Sequence, residues 1–82
     1  MKPMWFVYVL LCADGSFYTG ITTDVAMRFQ THVAGKGAKY TRSHPPVKIL
    51  YQESFPSKSA AAQRECQIKS WTKQEKILKL EL

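Results

Sequence analysis

The strongest constraint on the fold of this chain is a run of aliphatic and aromatic side chains near its N-terminus, at residues 4–12. Alternate positions of this run carry Trp5, Val7, Val9 and Leu11 on one side and Phe6, Tyr8, Leu10 and Cys12 on the other. Successive side chains of a β-strand point to opposite faces, so a strand formed here is apolar on both faces. We therefore predict that this strand is covered on both sides by other parts of the chain.

The segment after this run predicts a β-hairpin, and the length of its loop decides which side chains share a face. An Asp-Gly pair separates the first strand from a second one at 16–22, which is a strong hairpin signal. A two-residue turn places Tyr8 and Tyr18 on opposite faces, because side chains alternate with a period of two. A three-residue loop pairs Tyr8 with Gly20, places both tyrosines on one face and suits Gly15 at its left-handed last position. We predict the three-residue loop.

Capping residues and turn signals define the remaining elements. Asp24 is a suitable N-cap for a helix, Pro45-Pro46 excludes helix and central strand, and Thr72 with Glu75 forms a capping box. The elements predicted after the hairpin are a helix over 25–34, a basic loop over 36–46, a strand over 47–55, a helix over 56–71 and a short helix from Thr72. The order β-β-α-β-α-α predicts an α/β (α+β) fold, in which a small, mainly antiparallel three-stranded sheet is flanked by helices in one domain spanning 1–82.

Composition and charge narrow the classes of partner. The formal net charge is +6 and the sequence pI is near 9.6, which favours a polyanionic partner. No apolar run approaches the ~20 residues that span a bilayer, and no small-residue cleavage site of a signal peptide precedes the Asp-Gly pair. Cys12 and Cys66 lie in apolar contexts and make neither a disulfide framework nor a metal cluster. We expect a reduced, cytoplasmic protein that does not enter membranes, as a monomer or weak dimer.

Two of the predicted helices carry polar or charged side chains that could take part in catalysis or metal binding. Arg28 and His32 are four residues apart and share a face of the first helix. Their simpler interpretation is a solvated arginine and a hydrogen-bonded histidine at the edge of the core. Glu65 interrupts an apolar face of the second long helix, where a carboxylate needs a cation, hydrogen-bond donors or a metal ion. Its simpler interpretation is an i,i+4 ion pair with Lys69.

The segment between the first helix and the third strand mixes cations, an aromatic residue and glycines. Lys36, Lys39, Tyr40 and Arg42 are the residues of this segment that suit contact with nucleic-acid phosphates. The simpler interpretation is a solvated loop. Neither zinc-binding spacing, a P-loop nor a dinucleotide fingerprint occurs in the sequence.

These residues, in this order, resemble those of the GIY-YIG nuclease superfamily. Val7-Tyr8-Val9 followed by Tyr18-Thr19-Gly20 resembles the GIY…YIG pair that names the family, although the first motif keeps only its tyrosine. Arg28 matches the arginine of the family's first helix, His32 the polar residue one turn later, and Glu65 the metal-binding glutamate. The segment from Gly35 to Arg42 is similar to that of small stand-alone bacterial proteins of the YhbQ-like type. Many larger members carry a functional asparagine, whereas this chain contains none.

The resemblance implies a nuclease that hydrolyses phosphodiester bonds in DNA with little sequence specificity, in repair or processing, although RNA is not excluded. It implies one divalent metal ion, Mg2+ or Mn2+, held by Glu65, and catalysis by Tyr8, Tyr18, Arg28 and His32. Tyr8 and His32 are alternative general bases. We expect nucleic-acid contacts at Gly20, Lys36, Lys39, Tyr40 and Arg42. Two alternatives stay open: a DNA- or RNA-binding module without catalysis, and a protein-interaction domain. The sequence names no recruiting partner.

Overall fold

The doubly apolar N-terminal segment forms the central strand of a three-stranded antiparallel sheet in the computed structural model, which describes residues 4–82. The sheet order is β2-β1-β3, and helices pack on both of its faces. The elements are β1 (Trp5–Cys12), β2 (Phe17–Thr22), α1 (Val25–Val33), α2 (Lys39–Ser43), β3 (Pro46–Phe55), α3 (Lys58–Lys69) and α4 (Lys73–Lys79). The predicted α/β (α+β) class and the order β-β-α-β-α-α are confirmed, with the short helix α2 as an addition.

Strand β1 separates two apolar clusters, which confirms that it is covered on both sides. On one face, Val7 and Val9 pack with Ala61 and Ile68 of α3, and all four side chains are fully buried. Tyr8 and Leu10 point to the other face, where they pack against α1. Burying an aliphatic side chain of this size contributes about 1.5–3 kcal/mol relative to leaving it exposed. The central strand therefore couples the two helical layers.

The hairpin has the register that the three-residue loop predicts. Tyr8 lies directly opposite Gly20 on the antiparallel neighbour, and Tyr18 lies opposite Leu10. Gly15 has φ +85°, a left-handed conformation that glycine adopts without strain. Because opposed residues share a face, Tyr8 and Tyr18 lie on the same face of the sheet.

The prediction of an uninterrupted loop over 36–46 is wrong. Helix α2 occupies the middle of this segment, and strand β3 begins at Pro46. The prolines exclude helix only around their own position, so a helical turn ending at Ser43 is compatible with them. Pro46 begins an edge strand of the sheet, where the missing N–H of proline is tolerated. The basic segment is therefore partly ordered rather than a free loop.

The two helix caps predicted at Asp24 and Thr72 are present, and Ser57 is a third cap that was not predicted. The Asp24 side chain accepts a hydrogen bond from the Met27 N–H, the Ser57 hydroxyl accepts from Ala60, and Thr72 forms the capping box with Glu75. Helix α3 consequently begins at Lys58 rather than at residue 56, and it ends at Lys69 rather than near residue 71.

The two cysteines lie in different environments. Cys12 is buried and Cys66 is exposed, and both thiols are free. The expectation of an apolar environment therefore holds for Cys12 and is wrong for Cys66, which lies on the solvent side of α3. Within residues 4–82, none of the helices combines the length and apolar character needed to cross a membrane.

Candidate active site

Tyr8 and Tyr18 lie side by side on the sheet face that is covered by α1. Their ring centroids are 6.3 Å apart, and Tyr8 is only 1% exposed. A Cβ atom at Gly20 would lie 2.6 Å from the Tyr8 hydroxyl oxygen and 2.8 Å from its Cζ. Such distances are shorter than non-bonded atoms tolerate, so the glycine provides the space that the Tyr8 ring occupies.

A chain of buried hydrogen bonds runs from Tyr8 into the basic segment. The Tyr8 hydroxyl lies 2.9 Å from Nε2 of His32, and Nδ1 of His32 lies 2.7 Å from Oγ1 of Thr41. Thr41 in turn donates to the carbonyl oxygen of Ala38 at 2.9 Å. The single hydroxyl proton of Thr41 is thereby used, so Oγ1 accepts from the Nδ1–H of His32. Nε2 then carries no proton and accepts the hydrogen bond from Tyr8.

His32 is enclosed by the basic segment rather than placed at the edge of the core. It is 1% exposed, as is Thr41, and a Cβ atom at Gly37 would overlap the His32 ring. Gly37 and Thr41 were not among the site residues expected from the sequence. The glycine in an otherwise basic segment was the available signal, because glycine permits close approach of the backbone to a neighbouring group. The structure thus adds two residues that hold His32 in place.

The charge state of the Tyr8–His32 pair follows from burial. Burial raises the pKa of Tyr8 to about 12, while the nearby Arg28 guanidinium opposes this rise. Burial also lowers the pKa of His32, and Arg28 lowers it further. At neutral pH the pair therefore consists of a protonated phenol and a neutral imidazole. The phenolate of Tyr8 is not favoured by its surroundings, because desolvation outweighs the attraction of Arg28.

Glu65 lies on α3, the helix that packs against the opposite face of the sheet from Tyr8. Its side chain is 19% exposed, and its Oε2 lies 3.4 Å from Nζ of Lys69, so the i,i+4 pair considered above is present. Glu65 is also close enough to Tyr8 to contribute to the rise of the tyrosine pKa, although its contribution is the smallest. Helix α3 contacts β2, the strand at the edge of the sheet.

The carboxylate of Glu65 is compatible with one type of metal site. No cluster of three or more His, Cys, Asp or Glu side chains that could hold a metal ion occurs in the part of the chain that the structure describes. A site with several protein ligands, such as structural zinc requires, does not fit these residues. Mg2+ is usually bound by one or two carboxylates together with water and substrate phosphates, which a single partly exposed glutamate satisfies.

The expected nucleic-acid contacts are less closely connected to this site. Lys36, Lys39 and Arg42 are exposed, and the structure ties none of their side chains to the tyrosines. Tyr40 does join the site, because its ring is stacked on Tyr18 with a centroid distance of 6.0 Å and an interplanar angle of 24°. Arg28 is exposed and acts on both Tyr8 and His32 through its charge. The structure thus places Tyr8, Tyr18 and His32 in contact, whereas Arg28 and Glu65 are linked to this cluster through their effects on the pKa of Tyr8.

Comparison with known proteins agrees with this arrangement. The profile of the GIY-YIG catalytic domain matches residues 4–78. The chain therefore belongs to the GIY-YIG family, whose nucleases act on nucleic acids and generally use a divalent metal ion.

Within this family the chain is similar to the small proteins called UPF0213. It is 57% identical over 77 residues to a UPF0213 protein of Streptococcus sanguinis, covering 94% of this chain and 88% of that protein. A UPF0213 protein of Cupriavidus pinatubonensis is 56% identical over 77 residues, covering 94% and 86%. The solution NMR structure of a UPF0213 protein from Bacillus halodurans is 42% identical, with a TM-score of 0.61 and coverages of 95% and 83%. That of an E. faecalis protein is 40% identical, with a TM-score of 0.67 and coverages of 98% and 85%.

Proposed function

We propose that this chain is a metal-dependent endonuclease-like hydrolase of phosphodiester bonds in DNA, which acts in repair or processing with low sequence specificity. The observation that carries the proposal is the buried hydrogen bond between Tyr8 and His32. A buried tyrosine–histidine pair is costly to assemble and needs a glycine beside it, so packing alone is a poor explanation for it. The pair also provides a route for the proton that hydrolysis must remove from the attacking water.

Tyr8 and His32 act together as the general base in this proposal. A phenol with a pKa of about 12 does not accept a proton at neutral pH unless it loses its own. As the attacking water transfers a proton to the Tyr8 oxygen, the Tyr8 hydroxyl proton passes to the unprotonated Nε2 of His32. The resulting imidazolium keeps its Nδ1–H on Thr41. The alternative bases inferred from the sequence are thereby two parts of one proton relay.

The remaining site residues stabilise the transition state. The reaction places additional negative charge on the phosphate oxygens and on the leaving oxygen. Arg28 contacts the non-bridging oxygens, a contact that strengthens as charge develops. Glu65 would hold the Mg2+ or Mn2+ ion, whose positive charge stabilises the leaving oxygen. Tyr18 orients the water or the phosphate from its position beside Tyr8.

The exposed cationic side chains contribute to nucleic-acid binding and take no part in the chemical step. Lys36, Lys39 and Arg42 contact phosphates of the nucleic acid. Tyr40, which is stacked on Tyr18, also contacts the nucleic acid. Phosphate contacts carry no sequence information, so low specificity follows. We propose that the protein acts in the cytoplasm as a monomer or weak dimer, where the exposed Cys66 stays reduced. DNA is the proposed substrate, with RNA as the comparison to be tested.

A non-catalytic DNA- or RNA-binding module is the second candidate, and one observation favours it. Glu65 is already neutralised by Lys69, so the structure satisfies this carboxylate without a metal ion. A cleavage assay separates the candidates: single-stranded, duplex and branched DNA and matched RNA are incubated with Mg2+, Mn2+ or chelator. Metal-dependent cleavage of DNA supports the nuclease. Binding without cleavage under every condition supports the module and contradicts the proposal.

A further inference from the structure

A cavity at the free edge of strand β2 lies next to the candidate active site and is not used by the proposed reaction. Its volume is about 190 Å3, and its lining residues are Phe17, Tyr18, Thr19, Tyr40, Lys69 and Lys76. It receives side chains from both faces of the sheet, because β2 is an edge strand. Tyr18 belongs to both the cavity and the site, so a group bound in the cavity is a direct neighbour of the reacting phosphate.

Two lysines give this cavity a positive charge. Burial lowers the pKa of Lys76, and the neighbouring ammonium group of Lys69 lowers it further. Lys69 pairs with Glu65, whereas Lys76 makes no salt bridge to any carboxylate among residues 4–82. Like charges that line one cavity repel each other, and a bound anion relieves this repulsion. The cavity therefore contains one ammonium group, that of Lys76, without a carboxylate partner among residues 4–82, beside Lys69, which pairs with Glu65.

The wall of the cavity also contains an unused hydroxyl group. Thr19 is 3% exposed, and its Oγ1 has no hydrogen-bond partner among the residues described. A buried hydroxyl without a partner is destabilising by about 1–3 kcal/mol. An oxygen of a bound ligand would provide the partner that Thr19 lacks. The unpartnered hydroxyl is an observation independent of the lysines, because Thr19 is uncharged and lies on β2, whereas Lys69 and Lys76 lie on α3 and α4.

We propose that this cavity is a second phosphate site, which binds a phosphate group of the nucleic-acid strand through Lys69 and Lys76, beside the phosphate that is cleaved. An oxyanion with several oxygens matches two ammonium groups and a hydroxyl better than a single carboxylate does. The assignment of this phosphate to a nucleic acid rests on the proposed function, but phosphate binding in the cavity does not depend on cleavage. The phosphate is either an internal diester or a terminal monoester, which share this chemistry.

The test compares Lys76→Met with Lys48→Met, which removes the same charge from the exposed surface of β3, at the opposite edge of the sheet. Affinity for a short DNA duplex is measured by fluorescence anisotropy at several salt concentrations, in chelator so that no cleavage occurs. Each phosphate contact contributes about 0.9 to the slope of log K against log salt for duplex DNA. We expect Lys76→Met to reduce the slope by about one such contact, and Lys48→Met to leave it unchanged. Equal slopes for the two variants would overturn the proposal.

Two further arms identify the phosphate and control for folding. Duplexes with and without 5′-phosphates are compared: an effect of Lys76→Met on both indicates an internal diester, and an effect only on the phosphorylated duplex indicates a terminal monoester. Inorganic phosphate is then titrated against wild type, with the amide NMR signals of residues 17–19 as the readout. We expect saturable shifts that Lys69→Met and Lys76→Met each weaken while their spectra remain folded. Absence of shifts at these amides in wild type contradicts the site, even if the protein cleaves DNA.

Discussion

The hydroxyl oxygen of Tyr8 lies 2.9 Å from Nε2 of His32, and both side chains are 1% exposed. This contact joins the central strand to helix α1, and a second hydrogen bond continues it to Thr41 of α2. Two residues that are far apart in the sequence thus form one unit with a defined proton position. The reactivity of the site therefore depends on the pair rather than on either residue alone.

The Tyr8 hydroxyl should be essential for cleavage. Tyr8→Phe removes the group that receives the proton from water, and we expect cleavage to fall at least about a hundredfold, the lower end of general-base contributions. It also leaves Nε2 of His32 without a donor, which should lower the free energy of unfolding by about 1–3 kcal/mol. Cleavage rate and urea unfolding measure these effects. Tyr51→Phe is the matched control, since it removes a hydroxyl that pairs with Glu53 on β3 and should keep activity.

Thr41 should act as a positioning residue for His32. Thr41→Val keeps the shape of the side chain but removes the acceptor of the Nδ1–H, so we expect His32 to lose its fixed tautomer. The 15N NMR signals of the imidazole report this change directly, whereas a merely structural loss would leave the tautomer intact. We expect cleavage to fall by about tenfold or more, as for partners that orient a functional histidine. Thr41→Ser restores the hydroxyl and should restore both signals and activity; failure of this rescue would contradict the assigned role.

Acid should reduce both activity and stability through His32. The folded pKa of His32 is lowered, so the unfolded chain, with a histidine pKa of about 6.5, binds this proton at higher pH than the folded chain. Stability should therefore be fully present above that value and decrease as the pH falls toward the folded pKa. Activity should fall over the acid range as Nε2 becomes protonated. Thermal unfolding of wild type and His32→Gln from pH 5 to 8 isolates this effect, because the two proteins differ only at residue 32; identical pH dependence would contradict the assignment.

The register of the hairpin and the helix caps were predictable because local rules determine them. The period of two, with Gly15 at the end of the loop, places Tyr8 opposite Gly20. Asp24 and Thr72 predict the start of α1 and α4, because their short side chains accept hydrogen bonds from backbone N–H groups of the first turn. These signals need no knowledge of tertiary contacts.

Helix α2 and its contact with His32 were not predictable in the same way. The N-cap of α2 is Ala38, which makes no side-chain hydrogen bond, so the sequence gives no start signal. The burial of His32 requires α2 to fold over the imidazole, with Gly37 against the ring and Thr41 as its partner. The raised pKa of Tyr8 likewise results from burial by distant segments. Tertiary packing therefore determined the details that single-sequence patterns left open.

Glu65 was singled out because it interrupts an apolar helix face. Two partners compete for its carboxylate, namely Lys69 and a metal ion. In the structure it pairs with Lys69 at 3.4 Å. If that pair is its whole function, Glu65→Gln should cost roughly 0.5 kcal/mol of stability and leave cleavage unchanged. If it holds the metal ion, the same substitution removes the charge that a hard divalent cation requires. The two roles therefore give different results for one variant.

The most direct measurement is the rate of DNA cleavage by wild type, Glu65→Gln and Glu53→Gln, with Mg2+ and with chelator. Glu53 is the matched control, because it also pairs with a cation, Arg64, at 3.2 Å. We expect metal-dependent cleavage by wild type and Glu53→Gln, and a loss of at least about a hundredfold in Glu65→Gln, the scale of one strong transition-state contact. DNA binding by Glu65→Gln should persist or become tighter. Unchanged cleavage by Glu65→Gln, or no cleavage by wild type with any metal ion, would contradict the assignment of this chain as a metal-dependent nuclease.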